Sequence, residues 1–86
     1  MSEELNNKRK QLIFRSDHRG TKEMDLIMGT FAKKYVPQFD VAELAAYEEL
    51  LMNNDPDLYN WLTDKEPVPV DVDGALFQKL KNHKIA

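Results

Sequence analysis

The sequence predicts an all-α fold, a small antiparallel bundle of five short helices. Apolar residues recur at three- and four-residue steps in successive segments. No stretch shows sustained period-two alternation, and no Asn-Gly or Asp-Gly hairpin signal occurs. Only 3 Gly and 4 Pro punctuate the periodic segments, and neither an internal repeat nor a low-complexity tract is present. At 86 residues a single domain, 1–86, is expected, with 1–2 and 83–86 as frayed ends.

The first helix is expected from Glu3 to Arg15, with Ser2 as N-cap and Glu3 and Glu4 at the positive end of its dipole. Leu5, Leu12 and Ile13 give it a sparse apolar face and leave Lys8, Arg9 and Arg15 exposed. Ser16, Asp17, His18 and Gly20 then interrupt helix propensity. The second helix spans Thr21 to Tyr35, with Met24, Ile27, Met28, Phe31, Ala32 and Tyr35 as its core stripe. Lys33 and Lys34 sit in its last turn, and Pro37 stops it.

Asp40 and Glu43 form a capping-box pair for the third helix, Val41 to Met52, and Phe39 and Leu44 stand at the positions of a hydrophobic staple. Leu44, Tyr47, Leu50 and Leu51 face its core. Asp55 is expected to cap a fourth helix with Pro56 at its first position, turning Leu58, Trp61 and Leu62 inward. Residues 65–70 read as extended linker, fixed by two prolines. Asp71 or Asp73 caps a last helix carrying Ala75, Leu76, Phe77 and Leu80.

Composition removes several function classes. With 0 cysteines there is no disulfide, thiolate metal site or cysteine nucleophile, and a reducing compartment fits. No apolar run approaches the ~20 residues that span a bilayer, so no membrane insertion is expected. The N-terminus lacks a secretory or transit pattern, which places the expected start of the chain here and its location in the cytoplasm. Charge is uneven: residues 1–22 carry +3, residues 23–76 carry −9 and residues 77–86 carry +3. An acidic middle argues against a broad phosphate-binding face, and the third helix has no Lys or Arg, so no nucleic acid is expected as partner.

Catalytic constellations are weak, and no catalytic residue is assigned. His18 and His83 are the only histidines, and the adjacency of Asp17 to His18 is not triad geometry. A calcium loop over Asp55–Glu66 fails at Tyr59, Asn60 and Pro56, and two distant histidines make a poor zinc site, so no metal ligand is assigned. No dinucleotide or phosphate-loop fingerprint exists. No tightly bound cofactor is expected.

What remains is His18-Arg19-Gly20-Thr21-Lys22-Glu23-Met24-Asp25. Arg19 is a fork of donors at a turn, Gly20 lacks a side chain where another backbone can approach, and Glu23 stands one turn into a helix. Such a cluster is a compact recognition patch for a partner, or a turn whose Arg19 and Glu23 pair with each other on the surface.

Arg19-Gly20-Thr21-Lys22-Glu23 resembles the R-G-x-x-E motif of the SdhE family, flavinylation factors for succinate dehydrogenase. Asp55-Pro56-Asp57-Leu58-Tyr59-Asn60-Trp61-Leu62 is similar to that family's D-P-D-L-x-x-W-L signature, and the likeness covers roughly residues 8–82. Thr21 stands where many members have methionine, and His18 where many have arginine, a form typical of the alphaproteobacterial side of the family. The resemblance implies a bacterial, cytoplasmic five-helix protein that binds the flavoprotein subunit of succinate dehydrogenase and promotes its covalent FAD attachment. FAD is then handled by the partner, and the factor is an assembly chaperone, not an enzyme. The fumarate reductase flavoprotein stays open as a second client. Carried onto this chain, the partner-binding residues are Arg19, Gly20 and Glu23, extended by Arg15 and Asp25. Gly20→Arg is expected to abolish binding and leave the bundle folded. The alternative function is a helical adaptor of another complex with no flavin role.

Overall fold

The computed structural model describes residues 3–83. Among them are five α-helices and no strand: α1 (Glu3–Asp17), α2 (Lys22–Tyr35), α3 (Val41–Leu50), α4 (Asp55–Leu62) and α5 (Ala75–His83). A 3-10 turn, Val36–Gln38, links α2 to α3, with Pro37 inside it. α1 packs along α2, α3 rests on α1, and α5 closes against both α2 and α3.

The predicted periodicities become the core. Met24, Met28, Phe31 and Ala32 of α2 are buried, with Ile27 and Tyr35 half-buried at the edges of the stripe. Leu44, Tyr47, Leu50 and Leu51 enter from the α3 side, Leu58, Trp61 and Leu62 from α4, and Phe77 and Leu80 from α5. Phe31 lies at the centre, its ring 4.8 Å from Tyr35, 5.7 Å from Tyr47 and 5.6 Å from His83.

Local end signals hold where they depend only on near neighbours. Asp40 accepts from the Glu43 amide at 2.8 Å, and the Glu43 carboxylate accepts from the Asp40 amide at 2.9 Å, a complete capping box. Thr21 is the N-cap of α2, its hydroxyl accepting from the Met24 amide at 3.2 Å.

Other boundaries are corrected. α1 continues to Asp17, because Ser16 turns inward and bonds the Leu12 carbonyl rather than breaking the helix. α3 ends at Leu50 instead of Met52, with Leu51 as its C-cap. Asn54, not Asp55, caps α4: its side chain accepts from the Asp57 amide at 3.0 Å, which leaves the Asp55 carboxylate free for a distant partner. α5 begins after Gly74, whose carbonyl takes the first helical bond, while Asp73 accepts from the Gln78 side chain. The expected Ser2 cap, and the frayed ends at 1–2 and 84–86, lie outside the described residues. His83 is not frayed: its ring bonds Thr30 at 2.9 Å and stands edge-on to Tyr35.

Lys8, Arg9 and Arg15 are half-buried rather than exposed, because each crosses to a neighbouring element. Lys8 pairs with Glu48 of α3 at 2.7 Å, Arg15 reaches the same carboxylate at 3.6 Å, and Arg9 donates to the Phe39 carbonyl at 2.8 Å. Gly29 has a packing reason: a Cβ there would lie 2.4 Å from the Asp17 carboxylate and 3.4 Å from the Asp17 Cα.

The buried hydroxyl pair of Ser16 and Tyr47 ties α1 to α3, Oγ to Oη at 2.6 Å. Ser16 gives its hydrogen to the Leu12 carbonyl at 2.7 Å, so Tyr47 donates to Ser16. Burial pushes the Tyr47 phenol up to about 12, against smaller opposing effects from Ser16 and the Arg19 charge. The protonated phenol is thus favoured by the fold. Its stabilisation is complete below the ordinary tyrosine value near 10 and is lost as pH rises towards 12. Wild type is expected to lose about 2 kcal/mol more than Tyr47→Phe across that interval, at ~1.4 kcal/mol per pH unit. Urea unfolding of the two proteins at pH 9, 10 and 11 checks this, and parallel curves would contradict it.

Candidate functional site

The two motif blocks lie about 30 residues apart in sequence and meet in space. Arg19 points inward, not outward. Its Nε donates to Asp55 Oδ1 at 2.8 Å, one terminal nitrogen to the Leu51 carbonyl at 2.7 Å and the other to the Asn53 carbonyl at 2.6 Å. The side chains of Arg19 and Asp55 are only 11% and 12% exposed. A planar guanidinium is suited to this three-way grip, which bolts the α1–α2 turn onto the α3–α4 turn. The surface pairing of Arg19 with Glu23 does not form.

Asp25 also serves the turn. Its Oδ1 accepts from the Arg19 amide at 2.5 Å and from the Gly20 amide at 3.1 Å. Arg15 faces Glu48 on α3 instead of joining the motif. Of the five expected site residues, Gly20 and Glu23 are the two with exposed positions here. The Glu23 side chain makes no hydrogen bond or ion pair among the described residues.

Gly20 has φ +134°, a conformation costly for any residue with a Cβ, while a Cβ there would touch Asp55 only at an ordinary 3.7 Å. Backbone geometry rather than crowding therefore requires glycine. Gly20→Arg is consequently not fold-neutral, as the sequence suggested, and carries a strain of about 1–3 kcal/mol.

Beside this turn lies a concavity of about 320 Å3 lined by Thr21, Glu23, Met24, Asp55, Pro56 and Tyr59. Sequence reasoning assigned no site role to Asp55, Pro56 or Tyr59. One signal for Asp55 was present: Asn54 precedes it and can cap the helix alone, leaving a carboxylate without a local task. Next to Arg19, His18 stacks on exposed Phe14 at 4.2 Å, and its Nδ1 donates to the Phe14 carbonyl at 2.8 Å. No His, Cys, Asp and Glu group suited to a metal occurs among the described residues. No described helix is long and apolar enough to cross a membrane.

Comparison with known proteins places this arrangement in context. The chain is 37% identical over 84 residues to succinate dehydrogenase assembly factor 2-B, mitochondrial, of Drosophila ananassae, covering 95% of this chain and 52% of that protein. It is 38% identical over 84 residues to succinate dehydrogenase assembly factor 2, mitochondrial, of Drosophila grimshawi, covering 95% and 57%. The chain thus spans about half the length of the curated relatives it matches. These relatives are mitochondrial proteins of flies, which overturns the expectation of a bacterial cytoplasmic protein. The sequence model of the family Sdh5, flavinator of succinate dehydrogenase, matches residues 10–84, and that stretch contains both motif blocks and all five helices in whole or part. The chain belongs to the Sdh5 family.

Proposed function

We propose that the chain binds the flavoprotein subunit of succinate dehydrogenase through the face around Gly20, Thr21, Glu23 and Tyr59, and promotes covalent FAD attachment to that subunit. One observation carries the placement of this face. The Arg19–Asp55 pair joins the R-G-x-x-E and D-P-D-L blocks at 2.8 Å, and residues of both blocks line the concavity beside it. Family membership and the names of the relatives supply the client.

In this reading Arg19 and Asp25 are positioning residues. They hold the turn in the conformation that presents a bare Gly20 and an exposed Glu23 to the partner. The chain acts as a chaperone and leaves the chemistry to the flavoprotein. The exposed Glu23 carboxylate in its lining disfavours the pyrophosphate of FAD in this concavity. Holding the flavoprotein's own groups together can lower a barrier by several kcal/mol, ~7–11 at the extreme. It does so only to the extent that the chain binds the competent state more tightly than others.

The test mixes the purified chain with apo flavoprotein and FAD, denatures the mixture and reads in-gel flavin fluorescence. Glu23→Arg, an exposed substitution, is expected to keep the circular dichroism of the wild type and to lower covalent flavin roughly tenfold, as for a charge pair lost at an interface. Equal fluorescence in all lanes, with no complex on gel filtration, would overturn the proposal in favour of an adaptor without a flavin role. A parallel lane with the fumarate reductase flavoprotein asks whether the same face serves a second client.

A further inference from the structure

Helix α3 carries small apolar residues on its outer face among its glutamates. Leu44, Tyr47 and Leu50 enter the core, yet the opposite face presents Val41, Ala42, Ala45 and Ala46 to solvent, with Val41 68% exposed. Beside this outer face run two adjoining concavities of about 450 and 280 Å3, between α3, the turn 71–74 and α5. They share Ala46, Ala75 and Leu76, and together form one trough. Leu50, Val72, Phe77 and Phe39 add to its apolar lining.

The charge on the trough is one-sided. Glu49, Asp71 and Asp73 line one end and Glu43 the other, against a single cation, Lys79. The Lys79 ammonium lies 4.8 Å from the centre of the Tyr35 ring. The side chains of Glu49 and Asp71 have no hydrogen-bond or ion-pair partner among the described residues. Apolar residues flanked by an excess of carboxylates are complementary to a segment with one apolar and one cationic face, and repel anionic lipid and nucleic acid. The outward alanines at 42 and 46 allow another helix to approach at the short end of ordinary helix packing, ~8 Å between axes.

We propose that this trough docks a basic amphipathic helix of a partner protein, its apolar side chains on Ala46, Val72, Ala75 and Leu76 and its Lys or Arg side chains against Glu49, Asp71 and Asp73. The trough shares no lining residue with the concavity around Thr21 and Tyr59, so the inference stands apart from the flavinylation reading.

The probe is a capped peptide of about 15 residues, built from Lys, Leu and Ala with Leu at helical spacing, titrated into the isotope-labelled chain. A control peptide carries Glu in place of Lys. Amide shifts are expected to cluster at 42–53 and 71–79, with the Lys peptide binding roughly tenfold more tightly than the Glu peptide and weakening as salt is raised. Ala46→Arg is expected to abolish the shifts, and Glu49→Lys to weaken binding severalfold, both with unchanged helical circular dichroism. No binding, equal affinity for both peptides, or shifts centred on Thr21–Met24 would overturn the proposal. A concentration-dependent dimer that Ala46→Arg abolishes would also overturn it, in favour of a second copy as occupant.

Discussion

Replacing Arg19 by alanine is expected to lower stability by about 2–4 kcal/mol, because it strands the Asp55 carboxylate and two carbonyls in a largely dry site. At ~4–8 °C per kcal/mol for a domain of this size, the midpoint of thermal unfolding falls by roughly 10–30 °C. Asp55→Ala is expected to cost about as much, since it leaves a nearly buried guanidinium with carbonyl partners only. Lysine at position 19 keeps the charge but cannot reproduce the planar three-way grip, so it recovers only part of the loss. The double variant should lose less than the sum of the singles, with a coupling of about 1–3 kcal/mol. Thermal and urea unfolding of the wild type and the four variants measure this. Unchanged midpoints in either single variant would show that the pair does not hold the two turns together.

That result bears on function as well as on stability. If Arg19 works by positioning, its loss lowers covalent flavinylation and thermal stability together. Glu23→Arg lowers flavinylation alone. A variant at Arg19 that flavinates poorly but melts like wild type would instead assign its guanidinium to the partner.

Phe31→Ala has the largest expected effect in the core, about 3–5 kcal/mol. Phe31 is fully buried and touches the rings of α2, α3 and α5, with Phe39 a further 6.4 Å neighbour. No neighbouring element can collapse into the space without moving another. Small domains have a total stability of only about 5–15 kcal/mol, so the variant should be extensively unfolded at 37 °C. Near-ultraviolet circular dichroism should lose its fixed aromatic signal, and the urea midpoint should fall below that of Phe31→Leu. A native-like spectrum with an unshifted midpoint would contradict this account of the core.

The helices, the capping box of α3 and most of the residues that enter the core were legible in the sequence alone. These depend on short-range physics: bonds between residues four apart, capping by side chains two or three positions away, and one apolar face per turn. The capping box at Asp40 and Glu43 and the stripe from Met24 to Tyr35 were legible for that reason. Where a short-range rule had two acceptable solutions, as with Asn54 or Asp55 ahead of α4, the choice was made by a residue far away in the chain.

Tertiary structure alone decided what the motif residues do. Arg19, Asp25 and Arg15 carry the charges expected of a contact patch, yet each is turned to a partner within the chain, at Asp55, the Arg19–Gly20 amides and Glu48. Pairing a half-buried charge inside the molecule is favoured over leaving it unmatched, and the available partner is set by how the helices cross, which no local pattern encodes. The need for glycine at position 20 likewise follows from the backbone angle that this crossing imposes.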